Sequence, residues 1–337
     1  MDLEGLDDGT RGVSVAVPMK DKHGRDHVVA ILTYRFMVDP AGRVELAGND
    51  EPPRLVDEPT GPDVALSSIR RPSMLYDYKP GTDVVLAGHA YAAPRSNQVD
   101  VSLRMGPIDK TVRAYGTRVW QSKTMGGMQA GPARPIVDPI PLVWELAWGG
   151  YDDSDPSAIV ADERNYLGRG VARDPASLIG KPAAQLEDPD HPIGGFGAAP
   201  ASFGPLHRHW QPRASFVGTY DALWQETKMP LLPDDFDDRF HVAVTHDQWS
   251  PRPLRGDEPI EIVGATPEGR WRFQLPRINP GFSSFTREGR EEHRTHLDSV
   301  VIDADTGCVE LTWRAKVRMP RKLQMLDQIV VFEKELQ

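Results

Sequence analysis

Glycine and proline are spread along the whole chain, and this feature constrains the fold more than any other. The 337 residues include 30 glycines and 31 prolines, which do not gather in one linker. Because both residues interrupt long helices and favour turns, this distribution predicts many short strands joined by turns and long loops. The expected fold class is mainly β, with antiparallel sheets in two β-sandwich-like modules, long ordered loops and few short helices.

Three segments have clear strand patterns. The apolar run 28–36 leads through a turn into residues 44–46, which predicts a hairpin. Segments 99–105 and 309–317 alternate apolar and polar residues. This alternation predicts two half-buried strands, each with one face towards solvent.

The predicted organisation has three parts packed as one compact unit. An N-terminal β-module covers residues 1–143, a long irregular connecting region covers 144–209, and a C-terminal β-module lies within 210–337. Segments 81–88 and 256–264 resemble each other weakly, as expected for two related modules. Two independent strand-turn-strand units are the alternative explanation.

Helix signals are few. Residues 221–228 predict a short helix capped by Thr219 or Asp221. Residues 176–186 predict another, although they contain glycine and proline. The tail 323–336 is compatible with helix or strand.

Charge and cysteine content limit the classes of partner and compartment. Acidic residues outnumber basic ones by 49 to 39, giving a net charge of −10, which argues against nucleic acid as the main partner. The single cysteine excludes an intrachain disulfide and a thiolate zinc cluster. Residues 1–8 lack the basic and apolar parts of a secretory signal, and no run of about 18 apolar residues occurs. We therefore expect a cytoplasmic protein without membrane insertion.

Catalytic signatures are incomplete in this sequence. His207 and His209 would share one face of an extended segment, and Asp221 or Asp247 could add a third metal ligand. Two partly exposed histidines without a metal are the simpler interpretation. The aspartates of 234–238 fit turn formation and pairing with a neighbouring arginine better than acid–base catalysis. We expect no catalytic residue, no cofactor and no metal.

Residues 210–258 form what we call the signature block. Aromatic residues, prolines and acids alternate there with no helical or strand period, so side-chain hydrogen bonds, turns and aromatic packing must hold it. The residues predicted to form a structural hub or a partner surface are Trp210, Arg213, Gly218, Tyr220, Asp221, Trp224, Asp235, Phe236, Asp237, Arg239, Phe240, Asp247, Gln248, Asp257 and Glu258.

The signature block resembles the hallmark region of a bacterial accessory family, domain of unknown function 2169. The similarity extends over about residues 13–317. Further matching positions include Asp83-Val84-Val85-Leu86, Trp148-Gly149-Gly150, Asn165, Gly168-Arg169-Gly170, Leu297-Asp298 and Trp313-Arg314. Two positions depart from the family pattern, Tyr166-Leu167 after Asn165 and Ala315 after Arg314.

The resemblance implies a role in type VI secretion. Such proteins resemble chaperones or adaptors that bind a protein effector, or its PAAR-like tip domain, and aid its loading onto the VgrG spike. No enzymatic activity is attached to the family.

Two other functions remain open from the sequence. A carbohydrate-binding β-sandwich module would present coplanar exposed aromatics in a groove, for which eight tryptophans are available. Core packing is the simpler role for each tryptophan, and buried tryptophans would favour the adaptor. A metal-dependent hydrolase using His207 and His209 is the third hypothesis.

Overall fold

Strands make up most of the regular structure. A computed structural model of the chain describes residues 6–8, 12–48, 51–124, 127–194, 198–318 and 326–334. Strands account for 39% and helices for 8%, which confirms the mainly β fold class. In chain order the strands are β1 (Leu6–Asp8), β2 (Val13–Lys20), β3 (Asp26–Val38), β4 (Val44–Leu46), β5 (Glu58–Pro59), β6 (Ile69–Arg71), β7 (Thr82–Ala87), β8 (His89–Ala90), β9 (Gln98–Met105), β10 (Ile108–Tyr115), β11 (Trp120–Ser122), β12 (Met128–Ala130), β13 (Ile140–Pro141), β14 (Tyr151–Asp152), β15 (Val160–Ala161), β16 (Leu186–Glu187), β17 (Trp249–Ser250), β18 (Pro259–Val263), β19 (Arg270–Gln274), β20 (Pro280–Thr286), β21 (Gly289–His293), β22 (His296–Asp303), β23 (Cys308–Arg318) and β24 (Leu326–Glu333).

Three larger sheets contain sixteen of these strands, and the other eight form two-stranded sheets. A seven-stranded sheet has the order β17-β7-β22-β23-β3-β2, with β4 beside β3. All its pairs are antiparallel except β7 and β22, which run parallel. A five-stranded sheet, β16-β10-β9-β18-β19, is antiparallel throughout. A four-stranded sheet has the order β1-β24-β20-β21, in which β1 and β24 are parallel.

One hydrophobic core joins the two larger sheets. It contains Val28 and Leu32 of β3 together with Val101 and Leu103 of β9, all fully buried. Burial of apolar surface from both sheets in one cluster gives a sandwich-like arrangement. The core therefore links strands that lie far apart in the sequence.

Both larger sheets cross the predicted part boundaries. The seven-stranded sheet combines β2, β3, β4 and β7 from residues 1–143 with β17, β22 and β23 from residues 210–337. The five-stranded sheet combines β9 and β10 with β18 and β19, and takes β16 from residues 144–209. The two expected β-modules therefore share their sheets rather than each forming its own.

The strand predictions have mixed outcomes. The hairpin of β3 and β4 is confirmed, and Gln98–Met105 is half-buried as expected. The solvent face predicted for 309–317 is wrong, because Glu310, Thr312 and Arg314 are buried in β23. The segment 51–79 covers this face and supplies polar partners for these side chains.

The helices in the described residues are short. The predicted helix 221–228 is observed as α1, which spans Ala222–Thr227. Its N-cap is Asp221, whose carboxylate accepts from the Trp224 N–H at 2.8 Å. The other helical turns are 3-10 helices at Trp144–Leu146, Pro175–Leu178, Arg213–Phe216, Asp238–His241 and His246–Gln248. No described helix is long and apolar enough to span a bilayer.

Two further predictions concern the connecting region and the tail. The helix expected over 176–186 is wrong, because Gly180 adopts φ 82° and ends the helical turn. The tail forms strand β24 at Leu326–Glu333. Residues 323–325 and 335–336 of the predicted tail lie outside the described residues.

Candidate functional site

The signature block begins with a buried tryptophan. The Trp210 ring packs edge-on against Trp144, with centroids 5.9 Å apart and planes at 89°. The His207 ring also packs against the Trp210 indole, with centroids 4.5 Å apart. Trp210 therefore fixes the start of the block to the 3-10 helix that follows β13.

Arg213 connects two parts of the block. Its Nε donates to the Phe240 carbonyl at 3.0 Å, and another nitrogen donates to the Leu206 carbonyl. The guanidinium carbon lies 5.4 Å from the centre of the Phe240 ring. Burial lowers the pKa of Arg213 to about 10. Because its partners are carbonyls and a ring, this arginine acts as a brace between segments.

A tight turn at Gly218 depends on Asp235. The Asp235 carboxylate accepts from the backbone N–H of Thr219 at 3.0 Å and from its hydroxyl at 2.7 Å. These hydrogen bonds lower the pKa of Asp235. Gly218 has φ 84°, and a Cβ there would lie 2.9 Å from an Asp235 oxygen. Glycine is required at this position for both reasons.

The next motif is a compact turn. The Asp237 carboxylate caps the following 3-10 helix by accepting from the Arg239 N–H at 2.9 Å, and it pairs with the Arg239 guanidinium at 2.7 Å. The Arg239 guanidinium stacks over Phe216 at 4.3 Å. Phe236 is buried and contacts the Phe240 ring at 5.7 Å. The prediction that these acids form turns and pair with Arg239 matches these contacts for Asp237.

Gln248 joins the block to both larger sheets. Its side-chain amide nitrogen donates to the carbonyls of Val84 and Phe203 at 2.8 and 2.9 Å. Its oxygen accepts from Lys110 Nζ at 2.9 Å, and Asp247 lies 3.2 Å from the same ammonium. Burial lowers the pKa of Lys110. Gln248 is fully buried, so its amide has a structural role.

Asp257 and Glu258 lie at the end of the block, beside a large cleft. The Glu258 carboxylate accepts from the backbone N–H groups of Arg255 and Gly256 at 2.9 and 2.8 Å. Asp257 has φ 64° and pairs with exposed Arg277 at 3.2 Å. The cleft has a volume of about 1490 Å³ and carries the cationic side chains of Arg252, Arg255, Arg277 and Lys334.

Three large apolar side chains are exposed around α1. Tyr220, Leu223 and Met229 keep 47%, 67% and 61% of their surface accessible. Trp224 supports this surface from within, because its Nε1 donates to the Leu231 carbonyl at 2.9 Å and its ring contacts Tyr220 at 4.6 Å. We call Tyr220, Leu223 and Met229 the α1 face.

A buried ionic network underlies the block. Lys79 Nζ donates to Asp83 at 2.7 Å, and Arg314 Nε donates to Asp298 at 2.7 Å. The Asp83 carboxylate also accepts from the backbone N–H of Ala243 within the block, at 2.8 Å. Sequence reasoning missed this network, although the family pattern included Asp83, Asp298 and Arg314. Charged residues within strand patterns are the sequence signal that could have indicated this network.

The alternative metal site at His207 and His209 does not gain a third ligand within the described residues. His207 is buried and its Nε2 contacts the Ser67 carbonyl at 3.0 Å, whereas His209 is exposed. Asp221 caps α1 and Asp247 binds Lys110 instead of joining them. Within the described residues, a group of potential ligands forms elsewhere: atoms of Asp77, Asp238 and His241 lie within 4.8 Å of one another.

The tryptophans do not form an exposed row. All eight lie in the described residues and none is exposed. Their mutual contacts are edge-on, as in the pair of Trp120 and Trp148 at 6.0 Å and 86°. This arrangement lacks the coplanar exposed indoles expected of a carbohydrate-binding groove.

Comparison with known families shows to which family the chain belongs. The model of DUF2169, described as an uncharacterized protein conserved in bacteria, matches residues 23–314. The chain belongs to this family. The match includes the whole signature block and most strands of the two larger sheets. No curated protein and no solved structure matches the chain.

Proposed function

We propose that this DUF2169 protein is a non-catalytic chaperone or adaptor of type VI secretion in the bacterial cytoplasm. It binds an effector or its PAAR-like tip domain and aids loading onto the VgrG spike. Support for the secretion role comes from the family resemblance of the sequence. Support for a binding role comes from the α1 face.

The exposed α1 face is the observation that carries the proposal. Its three large apolar side chains lie within a stretch of ten residues inside the signature block, and the adjacent polar groups hold this segment in place. Isolated apolar side chains are common on protein surfaces, whereas a cluster on a braced segment is typical of an interaction site. An aromatic residue among them suits the anchoring contact of a protein interface.

The polar residues of the block support a non-catalytic function. The carboxylates of Asp221, Asp235, Asp237, Asp247 and Glu258 each accept hydrogen bonds that cap a helix, close a turn or pair with a neighbouring cation. A general acid or base needs a carboxylate available to a substrate. These carboxylates are instead used to hold the conformation of the signature block, and those of Asp221 and Asp235 hold the segment around α1.

Deletion of the gene in a strain that carries a neighbouring effector gene tests the function. We expect the effector to lose solubility and to disappear from the secreted fraction, while an unrelated substrate of the same apparatus is still secreted. Complementation with the wild-type chain should restore both properties. If the effector remains soluble, stable and secreted without this protein, the adaptor function is wrong.

A further inference from the structure

Two segments that are distant in the sequence bring three potential metal ligands together at the signature block. Asp77 lies after β6, and Asp238 and His241 lie at the two ends of a 3-10 helix within the block. One ligand atom from each residue lies within 4.8 Å of the other two. The His241 ring is held in place by stacking on Tyr76, with centroids 5.1 Å apart and planes at 23°.

His27 provides an independent observation at the same place. This residue of β3 is only 2% exposed, and neither ring nitrogen has a hydrogen-bond partner of good geometry, although the Arg25 backbone interacts with the ring. Its Nε2 faces the Asp77 carboxylate at 3.7 Å, which is too long for a hydrogen bond. A buried polar atom without a well-placed partner is unfavourable, so this imidazole is suited to binding a ligand between it and Asp77.

We propose that Asp77, Asp238, His241 and His27 bind a divalent transition-metal cation, with zinc as the preferred ion. Two carboxylates and two imidazoles match the oxygen and nitrogen donors that zinc accepts in a tetrahedral site. With metal–ligand distances of about 2.0–2.2 Å, neighbouring ligand atoms in such a site are roughly 3.4 Å apart. The 3.7 Å separation of His27 and Asp77 is close to this value. The ligand atoms of Asp77, Asp238 and His241 lie within 4.8 Å of one another, so they would have to move closer together around the ion.

Lys316 competes for the same carboxylate. Its Nζ donates to one oxygen of Asp77, so the ammonium stands in for part of the positive charge that a metal would bring. The nearby cations Lys79 and Arg314 are occupied by Asp83 and Asp298. Lys316 is therefore the residue whose removal should strengthen metal binding.

A bound metal would clamp the signature block onto the main sheet. The ligands connect β3, the segment after β6 and the 3-10 helix Asp238–His241. This structural site is separate from His207 and His209, and it does not depend on the adaptor function. The α1 face is positioned by the same block, so the metal would stabilise the segment that carries it.

Metal titration of the full-length protein after chelator treatment tests the site. We expect one Zn²⁺ per chain by calorimetry and by elemental analysis, and a higher melting temperature with Zn²⁺. Asp77→Asn and His241→Gln should each weaken binding at least tenfold, as should His27→Phe. The exposed His209→Gln is the matched control and should bind like wild type. Lys316→Met should bind more tightly.

Co²⁺ provides a measurement that needs no variant. A tetrahedral site with nitrogen ligands gives intense visible absorption, whereas hydrated octahedral Co²⁺ absorbs weakly. We expect the intense spectrum at one equivalent and its loss when Zn²⁺ is added. Absence of stoichiometric binding in the folded wild-type chain overturns the proposal. Binding that Asp77→Asn and His241→Gln leave unchanged in folded variants does the same.

Discussion

Arg314 donates from Nε to the Asp298 carboxylate at 2.7 Å, and both side chains are buried. A second Arg314 nitrogen donates to the carbonyls of Met74 and Tyr76, each at 2.8 Å. The Tyr76 ring lies 3.7 Å from the guanidinium carbon and stacks on His241. This ion pair therefore links β22 and β23 to the covering segment and, through that segment, to the signature block.

Removal of one partner of this pair should destabilise the protein strongly. Arg314→Met leaves Asp298 buried without its main cation, and we expect a loss of about 3–5 kcal/mol in the free energy of unfolding. Asp298→Leu combined with Arg314→Met should recover part of that loss, because no unpaired charge remains. Urea unfolding of both single variants and the double variant measures the coupling. Simple additivity of the two losses would contradict this account.

The same pair should make stability depend on acid pH. Burial raises the pKa of Asp298, but Arg314 and Lys79 outweigh this effect and hold the pKa of that carboxyl below its ordinary value. In the unfolded chain the Asp298 carboxylate binds a proton near its ordinary pKa, whereas in the folded chain it does so only at lower pH. The free energy of unfolding therefore falls as the pH drops below about 4, and this contribution is fully present above it.

Asp298→Asn should flatten this part of the pH profile. Urea unfolding midpoints measured from about pH 6 to about pH 3 give the slope of stability against pH for the variant and for wild type. Asp153→Asn, at an exposed position, is the matched control. An acid slope that is unchanged in Asp298→Asn would show that this carboxylate does not contribute to acid sensitivity.

The buried Gln248 amide should contribute far more to the free energy of unfolding than an exposed amide does. Gln248→Met leaves the carbonyls of Val84 and Phe203 without donors and removes an acceptor from Lys110. Each unsatisfied buried group costs about 1–3 kcal/mol, so we expect a loss of about 2–4 kcal/mol. Gln225→Met on the exposed side of α1 should be neutral within about 0.5 kcal/mol. Equal melting temperatures for the two variants would refute the structural role of Gln248.

Gly218→Ala separates steric contact from backbone strain. Both Gly218 and Gly269 have positive φ, 84° and 79°, but a Cβ meets Asp235 only at Gly218 and meets nothing within 4 Å at Gly269. Gly269→Ala should cost about 1 kcal/mol from backbone strain alone, and Gly218→Ala should cost more. Thermal unfolding of both variants provides the comparison, and an equal loss would exclude a steric contribution at Gly218.

The sequence predicts those parts of the fold that local patterns determine. Alternation in Gln98–Met105 gives the correct half-buried strand, because one face of that strand meets solvent. The same pattern fails in β23, because the segment 51–79 covers the second face, and no local signal shows which segment will do so. Sheets that combine strands from both ends of the chain are likewise invisible to local patterns.

The candidate site is predictable in composition but not in arrangement. The family pattern identifies Asp221, Asp235 and Gln248, yet only the structure shows that their polar atoms are used to hold the backbone. His27 and His241 lie far apart in sequence, so nothing in the sequence places them beside one carboxylate. The sequence does not distinguish the exposed Tyr220 from the partly buried Trp224. Their difference in exposure arises only from tertiary packing.

Leu223→Asp tests most directly whether the α1 face binds a client protein. Leu223 is 67% exposed and lies in the first turn of α1, where an added carboxylate is compatible with the helix. Val137→Asp, at a position that is 89% exposed, is the control for a charge added outside the block. Both variants should keep the wild-type melting temperature.

The decisive measurement is the affinity of the purified chain for a proposed client, an effector encoded beside it in a strain that carries such a gene, by calorimetry or co-purification. We expect wild type and Val137→Asp to bind equally and Leu223→Asp to lose at least tenfold in affinity, because its charge must be desolvated in the interface. Equal binding by all three proteins would contradict the claim that the signature block presents the client-binding surface.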